Sequence, residues 1–210
     1  SSDVDSAKRN LELAKKYKFL KPAVGIHPQS PTYRVNELEK LINKKVVAIG
    51  ECGLDFSEKY NEKEQRKLFE KQIKLAQKYK LPLIIHARKA VNETIEMLKN
   101  YKNLAGVFHC YAGGNKRIKK VMELGNNWYF GIDGNLTYEV GLAEVVRNIP
   151  KDRLILETDC PYLAPIPFRG RENKPAYIKH VYQKTAEIWE MSFEAAEKII
   201  DGNAYKLFKI

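Results

Sequence analysis

Four side chains that can ligate a divalent cation each close an apolar run in this 210-residue chain: Glu51, His86, His109 and Asp159. They end the stretches VVAIG, LPLII, AGVF and RLILET. Two imidazoles and two carboxylates form a mixed nitrogen and oxygen donor set. That set suits Zn²⁺, Mn²⁺ or Co²⁺ better than Ca²⁺, and Mg²⁺ where waters complete the shell. One or two divalent metal ions held this way would acidify water and clamp the oxygens of a phosphate. Glu51, with two oxygens, is the natural bridging ligand, and Asp159 is a candidate for both metal contact and general base. Glu51 and Asp159 are therefore the expected catalytic pair.

Other residues sit where a substrate could meet them. His27 closes a short apolar stretch before Pro28, either to touch substrate or leaving group or to stabilise a turn. Arg88 follows His86 by two positions, on the same side of a strand. It can meet a phosphate or pair with Glu51 or Asp55. Arg169 and Arg171 lie in a Gly- and Pro-rich loop, suited to gripping a polyanionic backbone. Tyr111, Tyr162 and Phe168 can stack bases or simply pack. Asp133 and Asn135 most simply make a turn, and His180 reads as surface. Cys52, Cys110 and Cys160 each directly follow a candidate ligand. Because strand neighbours point to opposite faces, the thiols are expected to be buried against helices and inert.

The elements that must position these residues alternate strictly. Strands are expected to end near residues 27, 51, 86, 109, 132 and 159. Helices are expected over 35–41, 62–79, 91–98, 116–124, 139–148, 176–189 and 193–208, after an opening helix capped by Asp3 or Asp5. Strand–helix alternation implies a parallel sheet. The spacing fits an α/β TIM-type (β/α) barrel, whose functional groups sit at the C-terminal ends of the strands. Such a barrel has eight strands and six are recognisable, so the reading is a barrel lacking its first two. The rival, an open doubly wound sheet, has no GxGxxG or Walker motif to support it. Residues 1–210 are expected to form a single domain.

Composition narrows the classes further. The chain carries 37 Lys+Arg against 26 Asp+Glu, a net charge of +11. That excess suits a polyanionic substrate such as nucleic acid, although lysines beside glutamates on amphipathic helices are ordinary surface. No apolar run approaches a membrane span. Three cysteines without CxxC spacing, and a polar first ten residues, point to a cytoplasmic protein.

The ordered segments GIHP, GECGLD, IIHAR, FHCYAGG, YFGI, LILETDCPYLAP and RGRENKPAYI together resemble the TatD-like metal-dependent deoxyribonucleases. The resemblance runs over essentially the whole chain. It implies a barrel hydrolase of the amidohydrolase-like superfamily that cuts DNA phosphodiesters with divalent metals, its ligands falling on Glu51, His86, His109 and Asp159. Some members are associated with D-aminoacyl-tRNA deacylase activity. Two departures stand out. The family's opening strand with its His-x-His pair has no counterpart in these residues, and Phe168 replaces a more polar residue. The alternatives are a metal-dependent amidohydrolase and a truncated, non-catalytic homologue that binds nucleic acid.

Overall fold

The computed structural model describes residues 1–30, 32–57 and 61–210. Among them six strands form one sheet in chain order: β1 (Ala23–Val24), β2 (Ala48–Asp55), β3 (Leu83–Arg88), β4 (Gly106–Phe108), β5 (Trp128–Ile132) and β6 (Leu154–Leu156). The pairs β1–β2, β2–β3 and β5–β6 are parallel. The helices that alternate with them are α1 (Val4–Lys16), α2 (Val35–Leu41), α3 (Glu62–Tyr79), α4 (Val91–Lys99), α5 (Asn115–Met122) and α6 (Leu142–Asn148). Two more, α7 (Ile178–Trp189) and α8 (Phe193–Phe208), follow β6. This is the α/β architecture that the strand–helix alternation implies.

The chain divides into two compact units, Ser1–Val107 with Leu207–Ile210, and Phe108–Lys206. In the first, α1 starts from a capping box: Asp3 accepts from the Ser6 N–H at 2.7 Å, and the Ser6 hydroxyl accepts from the Asp3 N–H at 3.0 Å. The long helix α3 buries Leu68, Phe69, Ile73 and Ala76 on one face and packs against β2. In the second unit every residue of β5 is buried. The Phe108 and Trp128 rings lie 5.8 Å apart, and Tyr111 meets Phe130 edge-on at 4.9 Å. Tyr111 is thus core, with its hydroxyl on the Gly114 carbonyl at 3.0 Å, and is no free platform for a base.

The strands are shorter than the apolar runs. β1 ends at Val24, three residues before His27, and β4 and β6 end before His109 and Asp159. Cys110 has φ +45° and Asp159 has φ +50°, so the chain has left extended geometry by the time it reaches them. This corrects the cysteine expectation. Alternation holds only on a strand, and only Cys52, on β2, is fully buried. Cys110 is half-buried and Cys160 is exposed.

Candidate metal centre

In the first unit β2 and β3 bring two carboxylates to one imidazole. Glu51, Gly53 and Asp55 alternate along β2, so both acids share a face. His86 Nδ1 lies 2.7 Å from Glu51 Oε1, and His86 Nε2 lies 3.0 Å from Asp55 Oδ2. His27 Nε2 is 3.8 Å from the same Glu51 oxygen, and its ring meets the His86 ring edge-on at 4.4 Å. Donor atoms of His27, Asp55 and His86 all fall within 4.8 Å of one another. Nitrogen and oxygen donors this close, with negative charge in excess, fit a divalent cation. Asp55 joins the group beyond the sequence expectation, and its place two residues past Gly53 on the same face was the available signal.

Buried amides hold this arrangement from beneath. The Asp55 N–H donates to Gln65 Oε1 at 2.9 Å, and Gln65 Nε2 donates back to the Asp55 carbonyl at 2.9 Å. One helix face further along, Gln72 does the same for Ile26, at 2.8 and 2.9 Å. Each glutamine satisfies both backbone groups of the residue at, or just before, a functional position. Burial works against the Asp55 charge. Hydrogen bonds from the Ser57 hydroxyl and N–H, reinforced by His86, outweigh it and hold the carboxyl below its ordinary range. Gly53, at φ +139°, must lack a side chain: a Cβ there would lie 2.0 Å from the His86 carbonyl oxygen.

In the second unit the arrangement recurs with a different partner. His109 Nδ1 lies 2.8 Å from Glu157 Oε2, and His109 Nε2 lies 3.4 Å from Asp159 Oδ1. A carboxylate on one imidazole nitrogen fixes the tautomer and orients the ring for ligation through the other. Glu157 also accepts from the Cys110 N–H at 2.5 Å. Sequence reasoning missed Glu157, although it precedes Asp159 by two positions. Asn173 ties the Asp159 loop down, its Nδ2 donating to the carbonyls of Thr158 at 2.5 Å and Tyr162 at 2.7 Å. Asp133 is buried, its Oδ1 accepting from the Asn135 N–H in the expected turn, and burial raises its pKa, with Glu157 and Asp159 adding to the effect. It borders a cavity of about 470 Å³ that Cys110, Asn135 and Leu142 also line.

The remaining candidates lie outside these groups. Arg88 is exposed at the end of β3. The Arg169 guanidinium sits 4.2 Å over the Tyr138 ring. Phe168 stacks on Tyr177 at 3.9 Å, and His180, only half-exposed, meets it edge-on at 5.5 Å. Tyr162 is 69% exposed and free to stack.

Residues 1–209 match the family model described as TatD related DNase. The chain is 38% identical to the uncharacterized metal-dependent hydrolase YabD of Bacillus subtilis, over 96% of this chain and 82% of that protein. It is 34% identical to the 3'-5' ssDNA/RNA exonuclease TatD of Pantoea ananatis, over 88% of this chain and 76% of that one. Among solved structures, the TatD homologue YJJV of Escherichia coli superposes with a TM-score of 0.89 at 27% identity, covering 100% of this chain and 85% of the other. A TatD family hydrolase from Entamoeba histolytica superposes with a TM-score of 0.87 at 26% identity, over 99% of this chain and 82% of the other. His–carboxylate groups at the strand ends, a family model matching residues 1–209 and relatives named as metal-dependent hydrolases agree: the chain belongs to the TatD family of metal-dependent hydrolases.

Proposed function

We propose that this chain, acting as one domain over residues 1–210, hydrolyses phosphodiester bonds of DNA in the cytoplasm. The observation that carries the reading is the His86 ring held between the carboxylates of Glu51 and Asp55. The name of the Pantoea relative supports a nucleic-acid substrate. Glu51 and His86 in the first unit, and His109 and Asp159 in the second, are assigned as ligands of divalent metal, with Zn²⁺, Mn²⁺, Mg²⁺ and Co²⁺ all compatible. A divalent cation supplies Lewis-acid activation of water and of a phosphoryl oxygen.

The chain's own groups do the rest. Asp159 is assigned to take a proton from water on a carboxylate oxygen. Glu157 holds His109 in one tautomer. His27 Nδ1 accepts from the Gln29 N–H at 3.1 Å, which turns Nε2 toward Glu51 and the site. His27 is therefore assigned to donate to a phosphoryl or leaving-group oxygen. Arg88 and Arg169 are assigned to the phosphate backbone.

The test pairs metal analysis with cleavage of an end-labelled single-stranded oligonucleotide. Cleavage restored by Mn²⁺ or Zn²⁺ and abolished by chelator is expected. Cleavage that survives exhaustive chelation, or a metal-loaded protein inert on every phosphodiester offered, overturns the reading.

A further inference from the structure

The first unit carries a second surface, at the opposite end of its strands from His27, Glu51 and Asp55. A groove of about 330 Å³ is lined there by Lys18, Lys21, Lys44, Lys45 and Lys209, and by no Asp or Glu. Lys21 precedes β1, and Lys44 and Lys45 precede β2. Several helix lysines hold a carboxylate three or four residues away: Lys15 on Glu12, Lys67 on Glu64, Lys74 on Glu70 and Lys184 on Glu187. Among the described residues, none of the five groove lysines has such a partner. Gathering cations in one groove focuses a positive potential there and draws polyanions to it.

Two aromatic residues, Tyr17 and Phe19, flank the groove residue Lys18 in the chain. Phe19 is 77% exposed and Tyr17 40%, their ring centroids 6.0 Å apart. Uncompensated lysines that track a backbone, beside exposed rings on which bases stack, are the two parts of single-strand recognition without sequence preference. We propose that this groove, with the Tyr17 and Phe19 rings, is a single-stranded nucleic-acid docking surface separate from the metal centre. From the start of β2 to Asp55 the strand runs about 25 Å at ~3.3 Å per residue. A polymer can reach this surface while a mononucleotide-sized substrate at the metal centre cannot. The surface serves binding and stands independently of any hydrolysis.

The experiment measures anisotropy of labelled oligothymidylate with the full chain, in chelator, as salt is raised. Each phosphate neutralised on a single strand contributes about 0.7 to the slope of log affinity against log salt. The quadruple variant Lys18→Ala, Lys21→Ala, Lys44→Ala, Lys45→Ala is expected to flatten that slope by about 3. Phe19→Ala keeps every charge, so it is expected to retain the slope while weakening binding roughly 5- to 150-fold. Hydrolysis of bis(p-nitrophenyl) phosphate, too short to span the distance, stays at the parent rate in both. An unchanged slope in the quadruple variant, or full affinity in Phe19→Ala, overturns the proposal. So does a loss of binding confined to phosphatidylserine vesicles, which would mark the groove as a membrane contact.

Discussion

At His109 the two ring nitrogens divide their tasks. Nδ1 faces Glu157 at 2.8 Å and Nε2 faces Asp159 at 3.4 Å. Glu157→Gln keeps the shape and can still accept through its carbonyl, but it removes the charge that raises the basicity of Nε2. Losses of 10- to 100-fold in metal affinity are typical when such a partner is removed. A fall of that size is expected for Mn²⁺ binding by titration calorimetry, with the fold intact. A neighbouring carboxyl has the opposite character. Asp133 is buried, and its pKa is raised by that burial and by Glu157 and Asp159. A raised carboxyl pKa means that the folded chain binds the proton more tightly than the unfolded one. Asp133 therefore costs stability above its folded pKa, and that cost fades as pH falls toward the unfolded value. In chelator, Asp133→Asn should melt above the parent at pH 8, with the gap closing in acid. A gap that widens on acidification would refute the assignment.

The elements that carry these residues owe their precision to groups that no apolar pattern announces. Gln65 and Gln72 lie two turns apart on the buried face of α3, where periodicity asks for apolar side chains. They are there to close the backbone at Asp55 and Ile26. Gln72→Leu would keep the helix pattern and strip both Ile26 groups of partners. At about 1–3 kcal/mol for each buried group left unsatisfied, urea unfolding should show a loss of at least about 2 kcal/mol. Gly53→Ala should be at least as damaging, because a Cβ there strikes the His86 carbonyl. Strand and helix order was legible because apolar runs alternate with amphipathic segments. Strand ends were not, since His27, His109 and Asp159 ride on loop backbone just beyond the sheet. The helix expected over 139–148 begins only at Leu142, after a 3₁₀ turn over Gly134–Thr137, and Val140 is left 99% exposed. The preceding 3₁₀ turn that Asp133 caps, and Gly141 just before the helix, leave residues 139–141 outside it. Asp55 was within reach of period-2 reasoning applied forwards from Glu51 on β2, whereas Glu157 lies past the end of β6, where that period no longer holds.

At the scale of the whole molecule, a cation that binds the folded chain and not the unfolded one must raise its stability by mass action. The donor groups sit on residues distant in sequence, so the unfolded chain offers no comparable site. At a free cation concentration near 100 times the dissociation constant, one site contributes about 2.7 kcal/mol. For a chain of this length each kcal/mol moves the thermal midpoint by about 2–4 °C, so Mn²⁺ should raise it by roughly 5–10 °C over chelated protein. His86→Ala should lose most of that shift, because it removes the ring that both Glu51 and Asp55 face. Lys45→Ala, on the far end of the same strand pair, should keep it in full. Because ligands must shed protons before they bind a cation, the shift should also shrink as pH falls. A midpoint indifferent to Mn²⁺ from pH 6 to 8 would mean that the imidazoles and carboxylates at these strand ends hold each other rather than a metal.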